Sequence, residues 1–395
     1  MKDRIYLMRD WFFTEEFTED MIADTMDVSL AQTVSLPHTC KETPYHYFDE
    51  HTYQMVSCYQ KILYAPEGWQ GKRLLLTFEA VGHEAEVYVN GKKMAEHHCG
   101  YTAFTIDISE ALNYGADNLL TVRVDSNETL DQPPFGFVID YMTYGGIYRD
   151  VYLEVKNSIY IEDIFLKPKF AETVTTKGMD AKAIAQMQVS GILASEVTYS
   201  VKAQEAISAG QVGIRQIVDD QVVLEAPIAT TSFSTPVADV MLWDIESPKV
   251  YEVTTQLLYQ GQVVDEKRVT VGFREALFQK DGFYLNGRKV RIRGLNRHQS
   301  YGYAGIHAAA GCQDFKGRTC RQCRAYITLS AVALLYGCLR QTGTFSLYGN
   351  AGLAAYRWSG LAGSGSGKYQ RHDRAVSQSS VHYPLGRAHQ RVAGQ

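Results

Sequence analysis

The chain has 395 residues, of which 45% are apolar and 21% charged. This composition supports two or three folded domains and excludes a wholly disordered protein. A formal net charge of −5 argues against a nucleic-acid-binding protein, and no apolar run resembles a signal peptide or could span a membrane. Seven cysteines without a repeating spacing do not indicate a disulfide framework. We therefore predict a cytoplasmic protein without nucleic-acid or membrane partners.

The first part of the chain has the pattern of an all-β domain. Arg73–Phe78 is an apolar run, and Ala85–Val89 alternates apolar and polar residues, as a half-buried strand does. Asn90-Gly91 then supplies the two positive φ angles of a tight hairpin turn. Leu119–Val124 and Ile147–Val155 continue the pattern without a convincing amphipathic helix between them. A β-sandwich or jelly roll is predicted.

A second β unit follows, from about Ser158 to Phe273. Its many short strands over about 115 residues favour an immunoglobulin-like sandwich. The predicted strands are Val197–Val201, Val222–Ile228, Tyr251–Tyr259 and Arg268–Phe273, with a hairpin turn at Gln260-Gly261. No chemistry is evident in this unit.

The pattern changes near residue 305. Asp281–Arg288 predicts a hairpin and Val290–Leu295 a short strand, but no sustained period follows. Residues 305–395 contain eleven Lys or Arg against two acids, Asp314 and Asp373, and hold 13 of the 32 glycines. We predict that this tail is poorly folded.

Four stretches, in order along the chain, together resemble glycoside hydrolase family 2. The resemblance covers residues 5–304. The stretches are Val34–Thr39 with its Leu-Pro-His, Val87–Lys92 followed by Gly100–Phe104, Asp140 leading into Gly145–Val151, and Val271–Arg274 leading through Asn286-Gly287 to Arg293–His298.

The resemblance implies a mainly β fold in which two sandwiches precede a truncated catalytic barrel. It gives a jelly-roll sugar-binding domain over residues 1–156 and an immunoglobulin-like β-sandwich over 157–275. The start of a (β/α)8 barrel over 276–304 would contribute only its first strand, Val290–Leu295. Residues 305–395 remain as the aberrant tail.

The resemblance also implies substrate-binding residues. In galactosidases of this family, an aspartate at the position of Asp140 reaches the sugar and a histidine matching His298 lies beside the sugar ring. Asn296 is the third predicted substrate-binding residue. Asp140 and the run Asn296–Tyr301 also favour a β-galactosidase over a β-glucuronidase. Plainer roles stay open, in which Asp140 caps a turn and His298 is a packed core residue. A β-galactoside or another small glycan is the expected partner, and a full-length parent could form a homo-oligomer.

The catalytic groups of the family are missing. Its members hydrolyse glycosides with retention through two barrel glutamates, whose carboxyl groups lie about 5–5.5 Å apart. No Glu follows His298, and the 105 residues after Val290 fall far short of the roughly 250 of a complete barrel. We predict no catalytic residue and no turnover in this chain. No cofactor or metal is predicted either, since the family's magnesium ligands would lie largely in the absent barrel.

A frame slip between about Tyr303 and Gly311 would explain the tail. Degenerate codons for Arg321–Tyr336, read from the second base of Gln322, permit Asn-Ala-Val-Arg-Thr-Ser-His-Tyr-Pro, which resembles the family's next barrel strand. With two mismatched codons, the codons of His372–Ala393 permit a string that ends in Asn-Glu-Ser-Pro, where Asn-Glu resembles the pair that carries the acid/base glutamate.

Two other interpretations compete with a truncated enzyme. The chain could be a non-catalytic carbohydrate-binding protein built from the two sandwiches, which sugar affinity without turnover would reveal. A structural zinc site is the second alternative, although its 8–3–15 ligand spacing is irregular. Its ligands would be Cys312, Cys320, Cys323 and Cys338.

Overall fold

The computed structural model is mainly β, which confirms the predicted fold class of two β-sandwiches. It describes residues 4–27, 29–42, 49–130, 143–172, 176, 178–180, 183–184, 186–245 and 247–291, and the backbone of 294–297, 325–328 and 345–348. Short 3-10 turns lie at Glu19–Ile22, Glu50–Tyr53, Glu67–Trp69 and Ser109–Ala111.

The first sandwich consists of a six-stranded and a four-stranded antiparallel sheet. The strands are β1 (Arg4–Tyr6), β2 (Trp11–Thr14), β3 (Gln32–Val34), β4 (Val56–Ala65), β5 (Arg73–Phe78), β6 (Glu84–Val89), β7 (Lys92–His97), β8 (Phe104–Asp107), β9 (Ala116–Asp125) and β10 (Val151–Lys156). The six-stranded sheet has the order β3-β2-β4-β9-β6-β7, and the four-stranded sheet has the order β1-β10-β5-β8.

The period-two pattern of these strands builds the core between the sheets. Leu74, Leu76 and Phe78 of β5 are fully buried, as is Val87 of β6. The hairpin predicted between β6 and β7 is confirmed, because Asn90 and Gly91 have φ angles of 49° and 80°. The alternation seen in the sequence therefore marks which face of each strand is buried.

The second sandwich pairs the sheets β11-β12-β15 and β14-β13-β16-β17 around its own core. Gln260 and Gly261 have φ angles of 50° and 80°, which confirms the predicted turn between β16 and β17. The strands are β11 (Ile161–Phe170), β12 (Gln188–Tyr199), β13 (Val212–Val218), β14 (Gln221–Pro227), β15 (Ser232–Met241), β16 (Tyr251–Tyr259) and β17 (Gln262–Val271).

One short helix, α1 (Val201–Ser208), interrupts the second sandwich where the sequence predicted the end of a strand. Ser200 is its N-cap and accepts a hydrogen bond from the Ala203 N–H at 3.3 Å. This cap stops β12 at Tyr199, so Val201 begins a helix instead of ending a strand. Among the described residues, no helix is both long and apolar enough to cross a bilayer.

A three-stranded unit follows: β18 (Ala276–Gln279), β19 (Gly282–Leu285) and β20 (Arg288–Val290). It contains the hairpin that the sequence predicted at 281–288. The predicted strand Val290–Leu295 is placed differently, because β20 pairs back onto β19 with Val290 opposite Phe283. The chain then starts a separate strand, β21 (Gly294–Arg297).

Two strands of the tail form one sheet with β21, where the sequence analysis expected a single barrel strand and a poorly folded tail. β21 runs parallel to β22 (Ala325–Thr328), which in turn runs parallel to β23 (Phe345–Tyr348). Parallel neighbours need long crossover connections, and both connections here are longer than 15 residues. The expectation of only one barrel strand is corrected to three short parallel strands.

A buried ion pair joins the two sandwiches. Lys156 at the end of β10 lies 2.8 Å from the Asp265 carboxylate on β17, and both side chains are 6% exposed. The other Asp265 oxygen accepts the Ile161 N–H at 2.8 Å, and Asn157 donates to the Val264 carbonyl at 3.2 Å. The short connection between the sandwiches is therefore held at both of its ends.

Removing one member of this pair should destabilise the protein strongly. Asp265→Ala leaves the Lys156 ammonium buried without a partner, and we expect a loss of about 3–5 kcal/mol in the free energy of unfolding. The double variant Lys156→Met/Asp265→Leu should recover most of that loss, because neither remaining side chain is charged. Urea denaturation measures both, and equal losses in the single and double variants would contradict the assignment.

Candidate functional site

The candidate site is the edge of the first sandwich at Leu130 and Thr143, the residues on either side of the segment that contains Asp140. We call this edge the rim. The structure describes the chain up to Leu130 and again from Thr143. Asp140 and His298 lie outside the described residues, and Asn296 is placed only as backbone in β21. Their predicted joint role in sugar binding stays a prediction. The four cysteines of the alternative zinc site also lie outside the described residues.

Two glycines allow the returning segment to pack against the rim. A Cβ on Gly145 would lie 2.1 Å from the Ser126 Oγ and 2.8 Å from the Cys40 Sγ. Gly146 has a φ of 111°, and a Cβ there would lie 2.7 Å from the Tyr59 hydroxyl. No larger residue fits either position without displacing these neighbours.

Backbone hydrogen bonds fix this return to neighbouring segments. The Cys40 N–H donates to the Gly145 carbonyl at 3.0 Å, and the Gly82 N–H donates to the Gly146 carbonyl at 3.0 Å. The His38 N–H donates to the Ile147 carbonyl at 2.8 Å. The Leu-Pro-His stretch and the Gly-Gly stretch of the sequence therefore meet at one place in the fold.

The departing side of the rim is fixed in a similar way. The Ser126 N–H donates to the Met55 carbonyl at 2.9 Å, and its hydroxyl donates to the Gly82 carbonyl at 3.1 Å. Two residues later, one oxygen of the Glu128 carboxylate accepts the Thr143 hydroxyl. This hydrogen bond connects the last described turn before residues 131–142 with the first residue after them.

Sequence reasoning did not single out Glu128 or Thr143. They follow and precede segments that carry the family resemblance, but neither belongs to a recognisable motif. The Asn127-Glu128-Thr129 run immediately after an apolar strand was the available signal, and it is equally typical of an ordinary loop. Only the fold shows that Glu128 and Thr143 are in contact.

Two histidines near the rim are neutral groups, of which His83 is buried and His38 half-buried. Burial lowers the pKa of His38 to about 4, and a His38 ring nitrogen lies 2.8 Å from the Tyr59 hydroxyl. Burial also lowers the pKa of His83 to about 4, against a smaller raising effect of Asp125. Neither imidazole is a protonated imidazolium at neutral pH, so we assign both to the packing of the rim.

Glu84, Glu96 and His98 form a cluster on the outer side of β6 and β7. Their potential ligand atoms lie within 4.8 Å of one another, but the two His98 nitrogens face different carboxylates. Hydrogen bonds from Lys93 and His98 lower the pKa of Glu96. A glycosidase acid needs a raised pKa, so this pair of carboxylates is unsuited to that role.

Buried His83 makes the stability of the protein depend on pH. The unfolded chain takes up a proton below a pKa of about 6.5, whereas folded His83 does so only near 4. The unfolded state therefore binds more protons over this window, and the free energy of unfolding should fall by roughly 3 kcal/mol from this group as the pH drops from 6.5 to 4. Urea denaturation across that range measures the fall.

The matched comparison is His83→Gln with His51→Gln, a substitution at an exposed position. His83→Gln should reduce the pH dependence between 4 and 6.5 but not abolish it, because the pKa of His38 is also lowered to about 4. His51→Gln should leave the slope unchanged. An unaltered slope in His83→Gln would show that this histidine is not the group that titrates.

Comparison with known proteins agrees with the sequence resemblance. The sugar binding domain model of glycosyl hydrolases family 2 matches residues 27–157, and a second model, described as glycosyl hydrolases family 2, matches residues 159–274. Together they match more than half of the chain. A family 2 structure from Bacteroides cellulosilyticus superposes with a TM-score of 0.74 at 20% identity, covering 95% of this chain and 51% of that one, which supports the fold.

Curated relatives include both β-galactosidases and β-glucuronidases. The chain is 37% identical over 307 residues to a β-galactosidase of Thermoanaerobacterium thermosulfurigenes, covering 77% of this chain and 42% of that enzyme. It is 30% identical over 374 residues to a β-galactosidase of Rhizobium meliloti, covering 92% of this chain and 47% of that enzyme. A β-glucuronidase of Bacteroides fragilis is 28% identical over 312 residues, with 75% and 41% covered.

The chain thus spans less than half the length of these relatives. The two family models match consecutive ranges, and the fold reproduces the two sandwiches that the resemblance implied. The chain belongs to glycosyl hydrolase family 2.

Proposed function

We propose that the chain is the sugar-binding front part of a β-galactosidase of family 2. Its parent would hydrolyse terminal β-D-galactosides with retention of configuration. This chain would bind such a sugar without cleaving it, through Asp140 and the residues Asn296 and His298. The observation that carries the proposal is the loss of every glutamate after His298 in a chain whose first 304 residues keep the family stretches.

The carboxylate cluster on β6 and β7 is unsuited to the chemistry of a retaining glycosidase. Retaining hydrolysis requires one carboxyl group that donates a proton and a second that attacks the anomeric carbon. The carboxylate pair Glu84 and Glu96 lies on the outer face of a sheet, where cationic neighbours lower the pKa of Glu96. A carboxyl group in that environment is a poor proton donor at neutral pH.

A β-glucuronide is the second candidate ligand, because β-glucuronidases are among the curated relatives. The 37% identity to the Thermoanaerobacterium thermosulfurigenes β-galactosidase, against 30% to a putative β-glucuronidase of Formosa agariphila and 28% to the Bacteroides fragilis β-glucuronidase, favours the galactoside. A purely carbohydrate-binding role would use the same rim. It differs from the truncated enzyme in evolutionary history and not in what this molecule does.

The frame slip is our proposed origin of the tail. A match covering 77% of the chain, as with the Thermoanaerobacterium enzyme, corresponds to about the 304 residues that precede the change in composition. The 92% covered by the Rhizobium match extends beyond that point, so at least part of the tail aligns with a family member as written. The gene sequence distinguishes a frame slip from a tail that is encoded as written.

The purified chain should bind nitrophenyl β-D-galactoside and release no nitrophenol. Asp140→Asn should weaken binding about tenfold or more, because a hydrogen bond to a charged group typically contributes about 1.5–3 kcal/mol. Asp117→Asn, at an exposed position of β9, is the matched control and should bind like the parent chain. Calorimetric titration and absorbance measure the two properties.

Turnover at enzyme-like rates would overturn the inactive assignment. Binding that is equally strong in Asp140→Asn and Asp117→Asn would remove Asp140 from the site while leaving sugar binding intact.

A further inference from the structure

A histidine flanked by two carboxylates lies on the outer side of β6 and β7. The His98 Nδ1 atom lies 3.3 Å from a Glu84 carboxylate oxygen, and the His98 Nε2 atom contacts an oxygen of Glu96. Potential ligand atoms of the three side chains all lie within 4.8 Å of one another. The side chains are 23%, 41% and 40% exposed for Glu84, Glu96 and His98, so ions and water from solvent can reach them.

The strand register brings these three side chains together. Ala85 of β6 lies opposite His97, the last residue of β7, so the next position on each side places Glu84 opposite His98. Side chains two residues apart on an extended chain point to the same face, which puts Glu96 beside His98. The paired backbone of β6 and β7 therefore holds the cluster on one face of the sheet.

The two carboxylates require more than a neutral imidazole can supply. A neutral imidazole carries one N–H, so it donates to one carboxylate only. Its second nitrogen then turns a lone pair toward a carboxylate oxygen, which also has only lone pairs to offer. A cation between the second nitrogen and that oxygen removes the repulsion, and it is either a second proton on His98 or a metal ion.

The charges around the cluster favour a divalent ion. Lys93 lies 2.7 Å from the Oε2 atom of Glu96, whereas His98 contacts the Oε1 atom, so the two contacts use different oxygens. Ion pairs on this face join three carboxylates to two basic side chains, namely Glu86, Glu96 and Asp125 with Lys93 and Arg123. Glu84 adds a fourth carboxylate, and a divalent cation would balance the excess of two negative charges over the basic side chains.

We propose that His98 and Glu96 bind a zinc ion or a similar divalent transition metal, with Glu84 orienting the imidazole. In this arrangement the His98 Nε2 atom and the Glu96 Oε1 atom are ligands, and water completes the coordination. Glu84 accepts the Nδ1–H, as a carboxylate commonly does beside a metal-binding histidine. An imidazole nitrogen with a carboxylate oxygen suits zinc, whereas magnesium and calcium prefer oxygen ligands alone.

The ion would act at the edge of the first sandwich. β7 is the last strand of the six-stranded sheet, and edge strands leave backbone groups unpaired on one side. The ion would tie Glu96 to His98 at the end of this strand, and the contact between His98 and Glu84 would tie that end to β6. This site lies beyond the proposed sugar binding and does not depend on it.

The test measures the zinc bound to the full chain by equilibrium dialysis against a series of zinc chloride concentrations. The parent chain should bind one more zinc ion at saturation than His98→Ala or Glu96→Gln, because each substitution removes a ligand. Zinc held by cysteines and histidines of residues 305–395 is common to all these chains and cancels in the comparison. Glu84→Gln keeps both ligands but weakens the orientation of the imidazole, so the affinity of this site should fall about tenfold or more.

His51→Ala, at an exposed position of the same sandwich, is the matched control and should bind as much zinc as the parent chain. Equal zinc binding by the parent chain, His98→Ala and Glu96→Gln would overturn the proposal and leave an imidazolium between the two carboxylates. Magnesium binding that depends on His98 would overturn the assignment to a transition metal. If His98→Ala does not fold, Glu96→Gln provides the same comparison with the parent chain.

Discussion

The candidate site depends on a close approach of backbone that only glycine permits. Gly145 and Gly146 bring the chain back to the rim against Ser126, Cys40 and Tyr59 at distances that leave no room for a Cβ. Because the return is fixed there, the carbonyls of residues 145–147 accept the N–H groups of two separate stretches, 38–40 and Gly82. The same return places Thr143 against Glu128. Family stretches that are distant in sequence therefore converge on one edge of the sandwich.

Much of the fold could be predicted, because the physical signals were local. Asn90-Gly91 marks a hairpin turn by its conformational preference alone, and the alternation of Ala85–Val89 marks a strand with one buried face. The helix at Val201–Ser208 was missed because eight residues are too few to show a helical period in the sequence. The capping serine is no clear signal either, because serine has many other uses in loops. The strand near residue 290 was displaced because an alternating pattern does not reveal which neighbour a strand pairs with.

The candidate site could be predicted only in part, because its chemistry depends on tertiary contacts. Gly145 and Gly146 stand out in the sequence, although most of the atoms that require them belong to distant residues such as Cys40 and Tyr59. The contact between Glu128 and Thr143 has no sequence signal, since it exists only in the folded state. Asp140 was identified through a resemblance, which indicates a role but not a position.

The central claim is that two intact sandwiches of a β-galactosidase precede a barrel whose reading frame has been lost near residue 305. Sequencing the gene from codon 300 to the stop tests it most directly. The account predicts one inserted or missing base between codons 303 and 311, after which the other frame reads through Asn-Ala-Val-Arg-Thr-Ser-His-Tyr-Pro to the Asn-Glu pair. A gene whose other frames contain neither string would contradict the account and make the tail a genuine part of the protein.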